Sequence, residues 1–219
     1  MFLKISLFSI CLAVLAVFCK NPAKSMVSEN DFYIRYIQDN SSILATAAFR
    51  AGEKGTKLAP RSMSKVFFQE TEMGERQTGD LLRYVADTKA NGFESKYKFK
   101  WKNEANAALE QQMRLAPILR ASVPQPWPRE NNAVIKWEGD PLDAAESLTI
   151  LFENKTGETV SQEFHGPTDL SAVPVDAKKL APGSWTATLI KTRIEEKTDG
   201  SVTTKMIFEY YTEPVHFEF

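Results

Sequence analysis

Apolar and polar residues alternate along most of the chain, and this period of two is typical of β-strands with one buried face. In the first half it predicts strands over residues 32–37, 43–49, 65–70, 80–87 and 96–102. Residues 80–87 also fit a helical turn. Residues 106–117 are rich in helix-favouring residues but follow a predicted strand, so a helix and the return strand of a hairpin both stay open there.

The second half shows the alternation more clearly. It predicts strands over residues 133–139, 147–154, 159–166, 185–197 and 201–219. The dipeptide Asp199-Gly200 is a hairpin turn signal between the last two of these strands. Because the segments are short, alternate in polarity and are joined by turns, the sequence predicts an all-β protein with antiparallel sheets.

A proline-rich segment, VPQPWPRENN at residues 123–132, divides the chain. Its three prolines do not fit a strand ladder, so we interpret it as a linker between two modules, residues 31–122 and 133–219. Trp127 lies inside this segment. It either packs between the modules or stands on the surface as a candidate for ligand binding.

A short pattern in the second half supports the fold class. Leu180, Pro182-Gly183, Trp185 and Leu189 form the pattern L-x-P-G-x-W-x-x-x-L, with Leu180 predicted in the core. This pattern resembles the E–F region of immunoglobulin-like and fibronectin-type sandwiches. The resemblance implies two antiparallel β-sandwich modules after the N-terminal segment, and it implies nothing about function.

The N-terminal segment, residues 1–19, is typical of an export signal. A single lysine precedes an apolar run over residues 5–18, which is shorter than the roughly 20 residues that a membrane span needs. Residues 15–19 resemble the lipobox of bacterial lipoprotein precursors, and this implies that Cys19 carries a lipid. Phe18 stands where that family has Ala, Gly or Ser.

Two other fates of the N-terminal segment stay open. An ordinary signal peptidase would cut nearby, or the segment would remain as a short uncleaved anchor. All three fates place residues 26–219 outside the cytoplasm, with the polar residues 20–30 as a tether.

Composition narrows the possible chemistry. The net charge of −1 favours neither nucleic acid nor an acidic membrane. In KYKFKWK, residues 96–102, alternation places the three rings on one face and the four lysines on the other, whereas a nucleic-acid surface needs both together. Both cysteines, Cys11 and Cys19, precede the body. We therefore expect no disulfide within the body, no metal site and no cofactor.

No recognised catalytic motif is present, so we expect no enzymatic activity. His165, which has Asp169 four residues on, and His216 are interpreted as a loop histidine and a surface histidine. The acidic stretch EGDPLDAAE, residues 138–146, lacks the spacing of a known calcium loop. The carboxylates that stand out are Glu70, Glu72, Asp140, Asp143, Glu195 and Glu196. The sequence does not select a facing pair among them.

The layout as a whole resembles two-sandwich bacterial envelope lipoproteins that have no assigned activity. This resemblance implies a non-enzymatic protein of the cell envelope, periplasmic or at the surface, anchored by its lipid and acting in binding or assembly with a protein or glycan partner. A soluble secreted form is the alternative location.

Two alternative functions are a carbohydrate-binding module and a secreted hydrolase. The first depends on Trp127, because strand phase predicts that Trp101, Trp137 and Trp185 belong to the core.

Overall fold

The computed structural model describes residues 25–103, 106–128 and 132–218, and these residues form an all-β protein. The predicted signal segment, including Cys19, lies outside the described residues. The first nine strands are β1 (Met26–Ile37), β2 (Ser42–Glu53), β3 (Ala59–Pro60), β4 (Val66–Phe68), β5 (Thr71–Glu72), β6 (Gly74–Thr78), β7 (Leu81–Lys89), β8 (Lys96–Lys102) and β9 (Ala108–Arg114). The others are β10 (Arg120–Ser122), β11 (Ala133–Glu138), β12 (Glu146–Asn154), β13 (Thr159–His165), β14 (Ala172–Val175), β15 (Ser184–Asp199), β16 (Val202–Tyr211) and β17 (Val215–Glu218), with a 3₁₀ helix at Ala177–Lys179.

The strands form three sheets. The largest has ten strands and follows the order β13-β12-β15-β16-β1-β2-β7-β6, with β17 paired to β15 and β3 paired to β2. A four-stranded sheet has the order β5-β4-β8-β9, and a three-stranded sheet has the order β10-β11-β14. Most neighbouring strands are antiparallel, as predicted.

One strand pair, β1 with β16, is parallel and joins the two halves of the chain. Its register runs from Ser28 opposite Val202 to Ile37 opposite Tyr211. A single sheet therefore contains strands from both sides of the predicted linker at residues 123–132. The division into two modules stays a prediction.

A continuous core lies beneath the large sheet. In the first half, the Phe32 ring of β1 lies 4.8 Å from Phe99 and 5.1 Å from Trp101 of the four-stranded sheet, measured between ring centroids. In the second half, the inward residues of β11 and β12 belong to the same buried cluster. Burial of these alternating apolar positions is the main force that holds the sheets together.

Several predicted elements differ from the observed ones. β1 begins at Met26, so residues 26–30 of the predicted tether belong to a strand. The single strand predicted over residues 201–219 is wrong, because it is split into β16 and β17, and both pair with β15. Both ambiguous segments form strands, since residues 80–87 overlap β7 and residues 106–117 contain β9.

The predicted core positions are confirmed. Trp101, Trp137, Trp185 and Leu180 are buried. In β8 the rings of Tyr97, Phe99 and Trp101 point inward while the lysines alternate with them on the other face. No helix in the described part of the chain is long and apolar enough to cross a membrane.

Candidate ligand-binding groove

An open groove of about 570 Å³ lies on the outer face of the large sheet, across β16, β1, β2 and β7. The strand alternation that buries Phe32 and Ile34 turns Tyr33 and Arg35 to this face. Its apolar lining includes Tyr33, Leu44 and Ile207. Its charged lining residues are Asp31, Arg35, Arg50, Arg83, Lys205 and Glu209.

A hydrogen-bonded cluster organises one side of the groove. The parallel register places Arg35 opposite Glu209. The Oε2 atom of Glu209 accepts hydrogen bonds from the Tyr33 hydroxyl at 2.6 Å, from Arg35 Nε at 3.2 Å and from the Tyr211 hydroxyl at 3.2 Å. The Arg35 guanidinium carbon lies 5.5 Å from the centroid of the Tyr33 ring and 5.3 Å from that of Tyr211. The arginine is therefore held between two aromatic rings as well as by the carboxylate.

The electrostatics of this cluster favour neutral tyrosines and a charged arginine. Burial raises the pKa of Tyr33, and the hydrogen bond to Glu209 raises it further. Burial also raises the pKa of Tyr211, and the Glu209 charge adds to that effect. Burial alone would lower the pKa of Arg35, but the neighbouring tyrosines and Glu209 outweigh it and raise the pKa. The cluster thus holds a charged guanidinium beside two neutral phenol rings, and it exposes Arg35 and Tyr33 to the groove.

A second open groove, of about 870 Å³, continues from the first. Both grooves are lined by Arg50 and Leu81, and the second is enclosed by the loop after β2 and the turn between β6 and β7. Arg50 pairs with Asp31 and, at 3.0 Å, with Glu29, which lies opposite it in the ladder. The outer face therefore offers a long polar surface rather than one enclosed pocket.

The structure places Trp127, the ligand-binding candidate, in the core. The residue is only 4% exposed, and its ring centroid lies 4.7 Å from that of Phe217 and 6.0 Å from that of Phe152. A ligand that stacks on an aromatic ring needs an accessible face, and this ring has almost none.

The histidines and most of the selected carboxylates have surface environments. His165 is 74% exposed and lies 3.9 Å from the Glu163 carboxylate, and His216 is exposed as well. Glu70 pairs with Lys100 at 2.8 Å and Glu72 with Lys65 at 3.4 Å. These carboxylates are matched by lysines instead of facing one another.

Carboxylates of the acidic stretch at residues 138–146 form ion pairs with basic side chains of β15. Glu146 pairs with Lys191, and Asp143 pairs with Arg193, which also contacts Glu195 at 2.6 Å. Burial opposes ionisation of Asp143, but a backbone hydrogen bond from Ala145 and the Arg193 guanidinium lower its pKa. Within residues 25–103, 106–128 and 132–218, no group of three His, Cys, Asp or Glu side chains is placed to hold a metal ion.

Sequence reasoning missed the groove, because it depends on the pairing of β1 with β16. Tyr33 and Glu209 are 176 residues apart in the chain. The sequence contains one indication of this site. Tyr33 and Tyr211 occupy outward-facing positions of strands whose inward-facing positions are also aromatic. Such a pattern indicates an aromatic residue at the surface, but it does not indicate which strand lies beside it.

Comparison with known proteins does not assign a family. No protein-family model matches the sequence, and no curated protein matches it. A similar solved structure is a tetra-tandem repeat in the extending region of a large adhesion protein, at 9% identity and a TM-score of 0.28. The match covers 84% of this chain and 50% of that structure, so this chain spans about half of the structure's length. A TM-score this low supports no functional argument.

Proposed function

We propose that the protein is a non-enzymatic, exported binding protein of the cell envelope that holds its ligand in the groove on the outer sheet face. The observation that carries this proposal is the fixing of Arg35 between Tyr33 and Tyr211 by the Glu209 carboxylate. A preorganised cation flanked by rings can bind a polar ligand without first being ordered, and this lowers the entropic cost of association.

Binding can be tested with the full chain in detergent on arrays of envelope glycans and polypeptides. The wild type is expected to retain at least one ligand, and Tyr33→Ala is expected to lose it. Lys100→Gln, on the four-stranded sheet, is the matched control and is expected to bind as the wild type does. Equal binding by Tyr33→Ala and the wild type would place the ligand elsewhere on the molecule.

The same experiment separates binding from hydrolysis. A binding protein releases its ligand unchanged, so the recovered ligand should have its original length by mass spectrometry. Recovery of shortened ligand, with the same products absent from a no-protein control, would overturn the non-enzymatic assignment and favour the hydrolase alternative.

Lipid anchoring at Cys19 belongs to the same proposal and has its own test. Metabolic labelling with a palmitate analogue is expected to label the wild type in the membrane fraction and to leave Cys19→Ala unlabelled. Cys11→Ala is the matched control, because it changes the other cysteine of the N-terminal segment. An unlabelled wild type with a soluble product that starts after the apolar run would instead indicate cleavage by an ordinary signal peptidase.

A further inference from the structure

The groove carries an excess of positive charge. Its lining contains four cations, Arg35, Arg50, Arg83 and Lys205, and two carboxylates, Asp31 and Glu209, a difference of two positive charges. The carboxylates are already engaged, Glu209 by Arg35 and Asp31 by Arg50. In the parts of the chain that the structure describes, no carboxylate lies within ion-pair distance of Arg83 or Lys205. These two side chains are exposed and available to an incoming anion.

The two available cations lie on opposite sides of the groove. Lys205 of β16 lies opposite Asp31 of β1. Arg83 of β7 is the neighbour of Tyr84, which lies opposite Ala47 of β2. The strand order β16-β1-β2-β7 separates them by three strand spacings of about 4.8 Å, or about 14 Å. One small anion cannot reach both cations. A chain with anionic groups repeated along its length can.

The groove floor cannot bind a peptide by adding it to the sheet as a further strand. β16, β1 and β2 each have a neighbouring strand on both sides, so their backbone groups are committed to the sheet and cannot pair with a peptide strand. Ligand contacts must therefore be made by side chains. Tyr33 and Ile207 lie two residues along their strands from Asp31 and Lys205, and Leu44 lies farther along β2. These three residues give the groove an apolar surface beside the cations, against which the C–H faces of sugar rings can pack.

We infer that the groove binds an acidic polysaccharide of the uronate class, with Arg83 and Lys205 receiving carboxylates at its two sides. This inference rests on the binding role proposed above for the groove. It names the ligand as a polyanion built from sugars, and it assigns to two residues the recognition of its charge.

The test compares the affinity of the full chain in detergent for three probes: polygalacturonate, its fully methyl-esterified neutral form, and poly-L-glutamate. Polygalacturonate is expected to bind at least about tenfold more tightly than either of the others, because only it combines sugar rings with carboxylates. Its affinity is expected to fall as salt is added, since salt screens exposed charges.

The variants Arg83→Gln and Lys205→Gln are each expected to weaken polygalacturonate binding about tenfold, without changing the melting temperature. Lys102→Gln, an exposed lysine on β8 outside the groove, is the matched control and should leave binding unchanged. Equal loss in all three variants would indicate a general charge effect and would overturn the assignment of Arg83 and Lys205.

The remaining outcomes separate this inference from the proposed function. If the esterified form binds as tightly as the acid and Tyr33→Ala abolishes both, the groove is a binding site and the acidic class is wrong. If poly-L-glutamate binds most tightly, the ligand is an acidic peptide and the inference is overturned. If none of the probes binds, the inference is overturned as well, and the array experiment alone decides the proposed function.

Discussion

Lys191 Nζ lies 3.0 Å from Glu146 Oε2, with the lysine side chain fully buried and the glutamate side chain 4% exposed. The contact is an ion pair but not a hydrogen bond. Among the described residues, no acceptor has hydrogen-bond geometry towards Lys191 Nζ. Glu146 also accepts a hydrogen bond from the Asp143 backbone N–H at 3.1 Å and lies 3.5 Å from Arg193 Nη1. Two buried charges on neighbouring strands thus depend on each other for compensation.

Breaking this pair is expected to destabilise the fold strongly. Glu146→Gln leaves the buried Lys191 ammonium without its ion-pair partner, so the free energy of unfolding should fall by about 3–5 kcal/mol. Chemical denaturation followed by tryptophan fluorescence measures the change. Lys100→Gln is the control, because it breaks an exposed ion pair of similar length, and it should leave stability unchanged.

Replacing both members of the buried pair should restore stability. Glu146→Leu combined with Lys191→Met removes both charges, and the double variant should match or exceed the wild type in its free energy of unfolding. A double variant as unstable as Glu146→Gln would mean that hydrogen bonding and local geometry, rather than charge compensation, make Glu146 important.

Removing the Glu209 carboxylate should change the titration of Tyr33. Burial raises the pKa of the Tyr33 hydroxyl, and its hydrogen bond to Glu209 raises it further. In Glu209→Gln the second contribution is weakened, so the Tyr33 pKa should move down towards its ordinary value. An alkaline titration followed by near-ultraviolet absorbance measures this shift, and Tyr33→Phe identifies the transition. An unchanged transition would mean that burial alone sets this pKa.

Stability at high pH should depend on Tyr97. Burial raises its pKa to about 12 from an ordinary value of 10.0, against the opposing effect of the hydrogen bond that the Glu94 N–H donates to its hydroxyl. A raised pKa means that the folded state holds the proton more tightly. The contribution is complete below pH 10 and is lost as the pH rises towards 12.

Urea unfolding at a series of pH values between 10 and 12 measures the contribution of Tyr97. Stability of the wild type should fall over this interval, and Tyr97→Phe should show a shallower decline because its ring cannot ionise. Parallel declines in the two proteins would show that Tyr97 ionisation is not linked to unfolding.

A side chain at Gly166 should be incompatible with the loop before β12. A Cβ atom built there would overlap the Asp143 carbonyl oxygen and lie 3.0 Å from Leu142 Cβ. Gly166→Ala should therefore lower the free energy of unfolding by at least about 1–3 kcal/mol. Gly74→Ala is the control, since its Cβ would meet its nearest atom, the Val85 carbonyl oxygen, at an ordinary 3.8 Å. Equal stability of the two variants would contradict this account.

Much of the fold follows from local pattern. Alternation identified β8 at residues 96–102, and it placed Trp101 and Trp185 in the core. It failed over residues 201–219, because Thr212 and the following residues interrupt the strand, although both observed pieces pair with β15. A period of two indicates which residues face inward, but two strands in sequence and one interrupted strand have nearly the same pattern.

The sequence by itself determined the all-β class and the buried faces of the strands, because these depend on residues close together in the chain. Only the tertiary structure decided the parallel pairing of β1 with β16, the groove around Tyr33 and Glu209, and the burial of Trp127. The physical reason is that strand pairing is a long-range choice. Many strands present suitable edges, and the partner is selected by how well all the buried faces pack at once.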